Sequence, residues 1–396
     1  MSLQFRPLFR FAAALCLLFL LAALSQCALA QNGPDTLVLK DGNTLHGTLV
    51  SEAAGIVTFH TPSLGDVKVP WKMIQELHTT GSFAVLPANQ KAISKHTAAQ
   101  IPLGPLDVTS DSVTVHPAQA QPVPQPIPTK DAAFIVSQSD LDKQLHHNPG
   151  FFQGWNGAVT AGATLVTATE NQYTFSGGLG LARVVPTVTW LRTNNRTLAD
   201  FMGSFGKITQ PAYVGPTGPV AAVTSKTSIL HFDAERDEYF SPRMFGLGQT
   251  AFDHNYSQDL SLQQIYGGGL GWTVLQTAKQ QADLRATVQY EKQSFISAPS
   301  GSNKNLIGST FSADYLLKAG VITYTQQVAY IPAWNDTAAW SADETNTIAF
   351  PGWKRFGFSM GTIDSFLNDP PASYPPTKRN SFQFTMGLTY AIQSKY

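Results

Sequence analysis

The sequence predicts an all-β protein: an antiparallel transmembrane β-barrel of about 12 strands, preceded by a small SH3- or Sm-like β-barrel module. Three observations predict it. From Phe151 onward, apolar residues alternate with small or polar ones in segments of about ten residues. The breaks between those segments alternate between long and short. Charged residues make up only 13% of the 396, about half the usual share of a soluble domain, so much of the surface has something other than water to face.

Composition also excludes. An apolar share of 43% can bury a core, so the chain is not disordered throughout. A formal charge of zero provides no field to collect phosphate, and no nucleic-acid partner is expected. Both cysteines, Cys16 and Cys27, precede residue 31. A cysteine-built zinc site, iron–sulfur cluster or thiol enzyme is thereby excluded from the rest of the chain. No cofactor is expected.

Residues 1–30 read as a signal peptide. Arg6 and Arg10 precede the uncharged run Phe11 to Leu24, and Ala28-Leu29-Ala30 offers a small-x-small cleavage pattern before Gln31. The run is short for a bilayer. The rival reading is acylation at Cys27, although Gln26 stands where a small residue is expected. Cleavage removes two arginines, leaving 24 Lys+Arg against 26 Asp+Glu, a net of −2. No later run of 18 apolar residues offers a transmembrane helix.

Residues 31–81 read as the small periplasmic β module. Thr36 to Leu39 meets the turn pair Asp41-Gly42, a hairpin signal, and four more short strands end at His78. Residues 82–116 echo it as a degraded second copy. Residues 117–150 read as a linker: Pro117, Pro122, Pro124, Pro126 and Pro128 favour extended polyproline II. A short helix over 139–145 follows, with Ser139 as its cap. His46, His60 and His78, and the pair His146-His147, have no ligand-like spacing and read as surface histidines.

Residues 151–396 form the barrel. Long breaks are read at 166–172, 210–223, 253–260, 296–305, 332–342 and 366–379. Short ones fall at 186–196, 237–242, 277–281, 318–320 and 351–354. Twelve strands result, with both barrel ends on the short-turn side, and lipid demands closed edges. On one strand His231, Asp233, Glu235 and Asp237 alternate with Leu230, Phe232 and Ala234. The acidic row is expected in the lumen, beside Arg236 or Arg243. Asp233, Glu235 and Arg243 then form either a constriction favouring cations or a salt-bridged plug. Arg183, Arg192, Arg196, Lys207, Arg285 and Lys318 read as lumen or turn residues.

No catalytic set is legible. Gly357-Phe358-Ser359-Met360-Gly361 matches G-x-S-x-G, but no histidine follows His254, and a strand fits the segment better than an elbow. Gly267-Gly268-Gly269 lacks the Lys-Ser/Thr of a phosphate loop.

The terminal strand, with Gly387, Tyr390, Ile392 and the final Tyr396, resembles the signal read by the outer-membrane insertion machinery; Ser394 departs from it. The stretch 151–396 as a whole resembles the YdiY-type family of salt-induced outer-membrane proteins, a domain of unknown function. The resemblance rests on Trp155 to Val159 with Gly162, Asp237 to Phe245, Tyr266 to Trp272, and Asp364-Ser365-Phe366 with Pro370-Pro371 and Asn380. Leu39 to Gly42 and Val69 to Trp71 resemble a module that precedes such barrels. The 210–223 loop is longer than the family leads one to expect. The resemblance implies an outer-membrane barrel, with no catalytic residues and no known substrate. The expected partners are outer-membrane lipid, the insertion machinery and a periplasmic protein bound by the N-terminal module. Function is expected to be that of a stress- or salt-related envelope protein and narrow channel. A closed structural barrel is the alternative, and a lipid hydrolase lacks its triad.

Overall fold

The computed structural model describes residues 33–53, 55–87, 92–117, 125–167, 171–215, 218–296, 303–370 and 379–394. The signal-peptide reading, Cys27 and Tyr396 lie outside the described residues. So does much of the Pro-rich segment. Two compact units divide at His146/His147.

In the first unit, β1 (Asp35–Leu39), β2 (Thr44–Ala53), β3 (Ile56–Thr61), β4 (Gly65–Pro70) and β5 (Ile74–His78) are the five expected strands. Gly42, at φ 87°, turns β1 into β2, and Asn43 N–H donates to Asp41 Oδ1 at 3.0 Å. The sheet then continues. β6 (Phe83–Pro87), β7 (Leu106–Val108), β8 (Ser112–Val115), β9 (Ile127–Pro128) and β10 (Ala132–Ser137) complete ten strands. Their order is β4-β3-β2-β1-β5-β7-β8-β9, with β10 pairing both β2 and β6.

Two expectations are corrected here. Residues 82–116 are not a second copy, because β7 pairs directly with β5 and β6 reaches the sheet through β10. Nor is 117–150 all linker, since β10 brings Ile135 back into one shared core with Leu37, Phe59, Leu77 and Val113. Helix α1 (Lys95–Ala98) caps on Ser94, and α2 (Gln138–His146) follows β10. Ser137 accepts from Asp140 N–H at 3.2 Å, so the cap of α2 is Ser137 rather than Ser139.

The second unit is a closed antiparallel barrel of twelve strands. In barrel order they are β11 (Trp155–Thr167), β12 (Asn171–Val185), β13 (Asn195–Gln210) and β16 (Val223–Tyr239). Then come β17 (Met244–Asn255), β18 (Leu260–Gln276), β19 (Gln280–Phe295) and β20 (Lys304–Ala319). β21 (Ile322–Ile331), β22 (Ser341–Pro351), β23 (Phe356–Leu367) and β24 (Asn380–Ile392) close on β11. A small hairpin, β14 (Tyr213–Gly215) with β15 (Gly218–Val220), decorates the break between β13 and β16. The expected long breaks at 166–172 and 253–260 are tight, because β11, β12, β17 and β18 run on into them.

Period two assigns the faces. On β19, Asp283, Arg285, Thr287, Gln289, Glu291 and Gln293 are all buried, whereas Leu284, Val288 and Tyr290 are exposed. The outer wall continues through Phe201, Phe232, Tyr266, Leu270, Phe311, Phe384 and Leu388, all exposed. A polar row on β21, β22 and β23 interrupts it. Glu344 Oε1 accepts from Gln326 Nε2 and Asn346 Nδ2, both at 2.9 Å, so the row is internally hydrogen-bonded.

Candidate functional site

The polar inner faces make the lumen the candidate site. Its short-turn end holds an arginine bridge. Arg196 on β13 donates to Asp237 on β16 at 2.7 Å and to Asp283 on β19 at 2.6 Å. The guanidinium lies 5.3 Å from the Phe245 ring centroid and 5.9 Å from that of Tyr239, so an aromatic floor supports it. Gly271 makes that floor possible: a Cβ there would meet the Phe245 ring at 2.1 Å. A second bridge shares β16 and β19 and adds β20. Arg285 on β19 donates to Glu235 on β16 at 2.8 Å and pairs with Asp314 on β20. Arg285 and Glu235 are both nearly enclosed. Fixed charges in such a place persist because each is paired and hydrogen-bonded.

Beyond the bridges is a cavity of about 240 Å³. Five carboxylates line it: Asp233, Glu235, Asp253, Asp314 and Asp343. Arg285 and His231 are the basic groups facing them. The His231 ring contacts Asp253 Oδ1 through Nδ1 at 2.5 Å and Asp233 Oδ1 through Nε2 at 3.2 Å. The opposite wall is built of small residues: Thr160, Gly162, Ser176, Ser359, Thr385 and Gly387. The lumen is therefore lopsided. Bulky charged groups concentrate on the β13-to-β20 side, and small residues on β11, β12, β23 and β24.

The far end of the cavity is crossed by the turn Tyr256–Gln258, between β17 and β18. Asn255 Nδ2 donates to Gln258 Oε1 at 2.9 Å. Gln258 Nε2 donates to the carbonyls of Ser365 at 3.1 Å and Arg379 at 3.2 Å. Those acceptors belong to β23 and the approach to β24, on the opposite side of the ring.

A family model described as a protein of unknown function, DUF481, matches residues 159–392. The chain belongs to this family. Among solved structures, the NanC porin is similar at 6% identity and a TM-score of 0.34, over 60% of this chain and 100% of that one. An outer membrane channel from Pseudomonas putida F1 is similar at 12% identity and a TM-score of 0.33, over 62% and 99%. No curated protein matches the chain.

In this DUF481 barrel the sequence-selected residues separate. Asp233 and Glu235 lie on the lumen face of β16. Arg243 does not join them: it is exposed in the turn after β16, where its carbonyl accepts from Thr273 N–H at 2.8 Å. Ser-Pro-Arg is the turn itself, so its side chains lie beyond the strand ends. Arg236 faces outward, bonded to Glu238 and Thr197. The bridging cations are Arg285 and Arg196, which the sequence marks only as charged residues of unassigned partners. Arg183 is buried on three carbonyls, those of Pro149, Gly150 and Gln153. Arg192 and Lys318 are exposed. Ser359 pairs with Ala349 and Gly387 inside a regular strand, and neither β22 nor β24 carries a histidine. Gly387, Tyr390 and Ile392 sit on β24, the last two opposite Val159 and Gly157 of β11. In the first unit His60 and His78 form surface pairs with Asp66 and Asp107, both at 2.7 Å. His46 faces Thr36. Among the described residues no group of three or more potential ligands is placed to hold a metal.

Proposed function

We propose that this protein is an outer-membrane β-barrel of the bacterial envelope that acts as a narrow, cation-preferring channel, with its first unit in the periplasm. The observation that carries the reading is the inversion of the barrel: apolar side chains line the outside of a closed ring while charges and amides fill the inside. Only a wall against lipid makes that distribution favourable. Carboxylates outnumber basic groups around the cavity, which favours entry of cations. The small-residue wall supplies the path beside the arginine bridges. Both barrel ends lie on the short-turn side, which supports a periplasmic location for the first unit. The first unit there is free to bind a periplasmic partner, and Gly387, Tyr390, Ile392 and Tyr396 would serve the insertion machinery. A salt- or stress-related role rests on the YdiY-type resemblance alone.

Planar-bilayer recording of the purified protein tests the channel. Discrete cation-preferring steps are expected, with the preference reduced by Asp233→Asn with Glu235→Gln. A second reading is a closed structural barrel, favoured by the bonded groups that cross both ends of the cavity. Folded protein that stays silent in every variant, including those described next, would establish it instead.

A further inference from the structure

We propose that the Tyr256–Gln258 turn is a gate on the long-loop end of the lumen, latched by the side chain of Gln258. The inference rests on the channel reading and names its regulation. The turn arises between the fifth and sixth strands of the ring, and its two carbonyl acceptors lie at the eleventh and twelfth. It therefore spans the mouth rather than lying along the rim. Gln258 is 4% exposed, and Leu260, Ile331 and Leu367 form an apolar collar around the cavity at the same end.

The latch is built to release. The bonds of Gln258 across the mouth come from one side-chain amide, and each such bond is worth little net free energy when water replaces it. The acceptors are backbone carbonyls, which stay in place whatever residue stands at 258. Asp259, next in the chain, sits at φ 57°. That left-handed conformation costs Asp more than Gly, so glycine at 259 would favour the closed turn. Asn255 fixes the Gln258 amide so that its N–H groups, not its oxygen, point across the mouth. The opposite end differs in kind: its bridges are charge pairs between strand residues.

Two substitutions should move the gate in opposite directions. Gln258→Ala removes the latch, and the open fraction in bilayer recordings is expected to rise roughly tenfold. Asp259→Gly favours the closed turn and should lower it roughly fivefold. A second readout is independent of conduction. A cysteine placed on the lumen wall (Ser359→Cys, with Cys16 and Cys27 replaced by serine) is reacted with a trimethylammonium-bearing methanethiosulfonate. Its labelling should accelerate in Gln258→Ala and slow in Asp259→Gly. Heat-modifiable gel mobility confirms that each variant is folded. Labelling and gating unchanged in both folded variants would overturn the gate. Labelling that responds while no variant conducts would keep the gate and remove the channel.

Discussion

Strands β3 and β19 obey the same alternation and bury opposite chemistry. In β3, Val57 and Phe59 are fully buried while His60 is exposed. In β19, Glu291 and Gln293 are buried while Val288 and Tyr290 are exposed. Period two states that a strand has two faces. What lies against each face decides which one is filled with hydrocarbon. The first unit surrounds its apolar face with its own strands, whereas the barrel directs that face outward and closes its polar groups on one another.

The comparison breaks hardest in the first unit. Phe59→Ala should cost about 3–5 kcal/mol there, by lost transfer energy and the cavity left behind. The measurement is amide-exchange protection of β2 and β3 in the intact chain. Neighbouring positions on β19 give the next test. Val288→Arg puts a charge on the outer wall and should cost about 2–4 kcal/mol when refolded into vesicles, as at the midplane of other barrels. Gln289→Leu on the inner face should cost less. Equal losses, or no loss at Val288, would mean that the outer wall does not meet lipid.

The smallest effect sharpens the contrast, because the first unit buries two acids, Asp35 and Glu52, with no ion pair to a described residue. Glu52 is 3% exposed, and its Oε1 accepts from Gly55 N–H at 2.9 Å. Burial pushes its carboxyl up from 4.5 to about 7. The folded state therefore binds a proton that the unfolded state has released, and stability falls as pH rises from about 4.5 to about 7. Glu52→Gln should flatten exchange protection of β2 across that window. A wild-type profile that is already flat would remove this role for Glu52.

The strands were legible because alternation is local. β11, β12, β18, β19, β20 and β24 carry it along their own residues, and the ring of twelve follows from counting their breaks. The outward face of Leu230 and Phe232 was legible for the same reason. Partnership was not. Arg196 reaches Asp283 across 87 positions and three intervening strands, β16, β17 and β18; only the curvature of a closed ring brings those inner faces together. Gln258 is harder still, since its acceptors are carbonyls with no residue identity to read. In the first unit the return of β10 to β2 was hidden behind a proline run that reads as a boundary.

The ring is not uniform around its circumference. β11 and β12 are registered over thirteen residue pairs, from Trp155 with Arg183 to Thr167 with Asn171, but β11 and β24 over only five, from Gly157 with Ile392 to Ala161 with Leu388. Glycines make the seam tight: a Cβ at Gly387 would strike the Ala161 carbonyl at 2.3 Å, and one at Gly162 the Met386 carbonyl at the same distance. The cylinder is thus a sheet curled round and buttoned along a short placket. It is the joint of the ring with the fewest registered pairs, so a bulky residue at Gly162 or Gly387 is expected to leave an unrolled sheet with two raw edges.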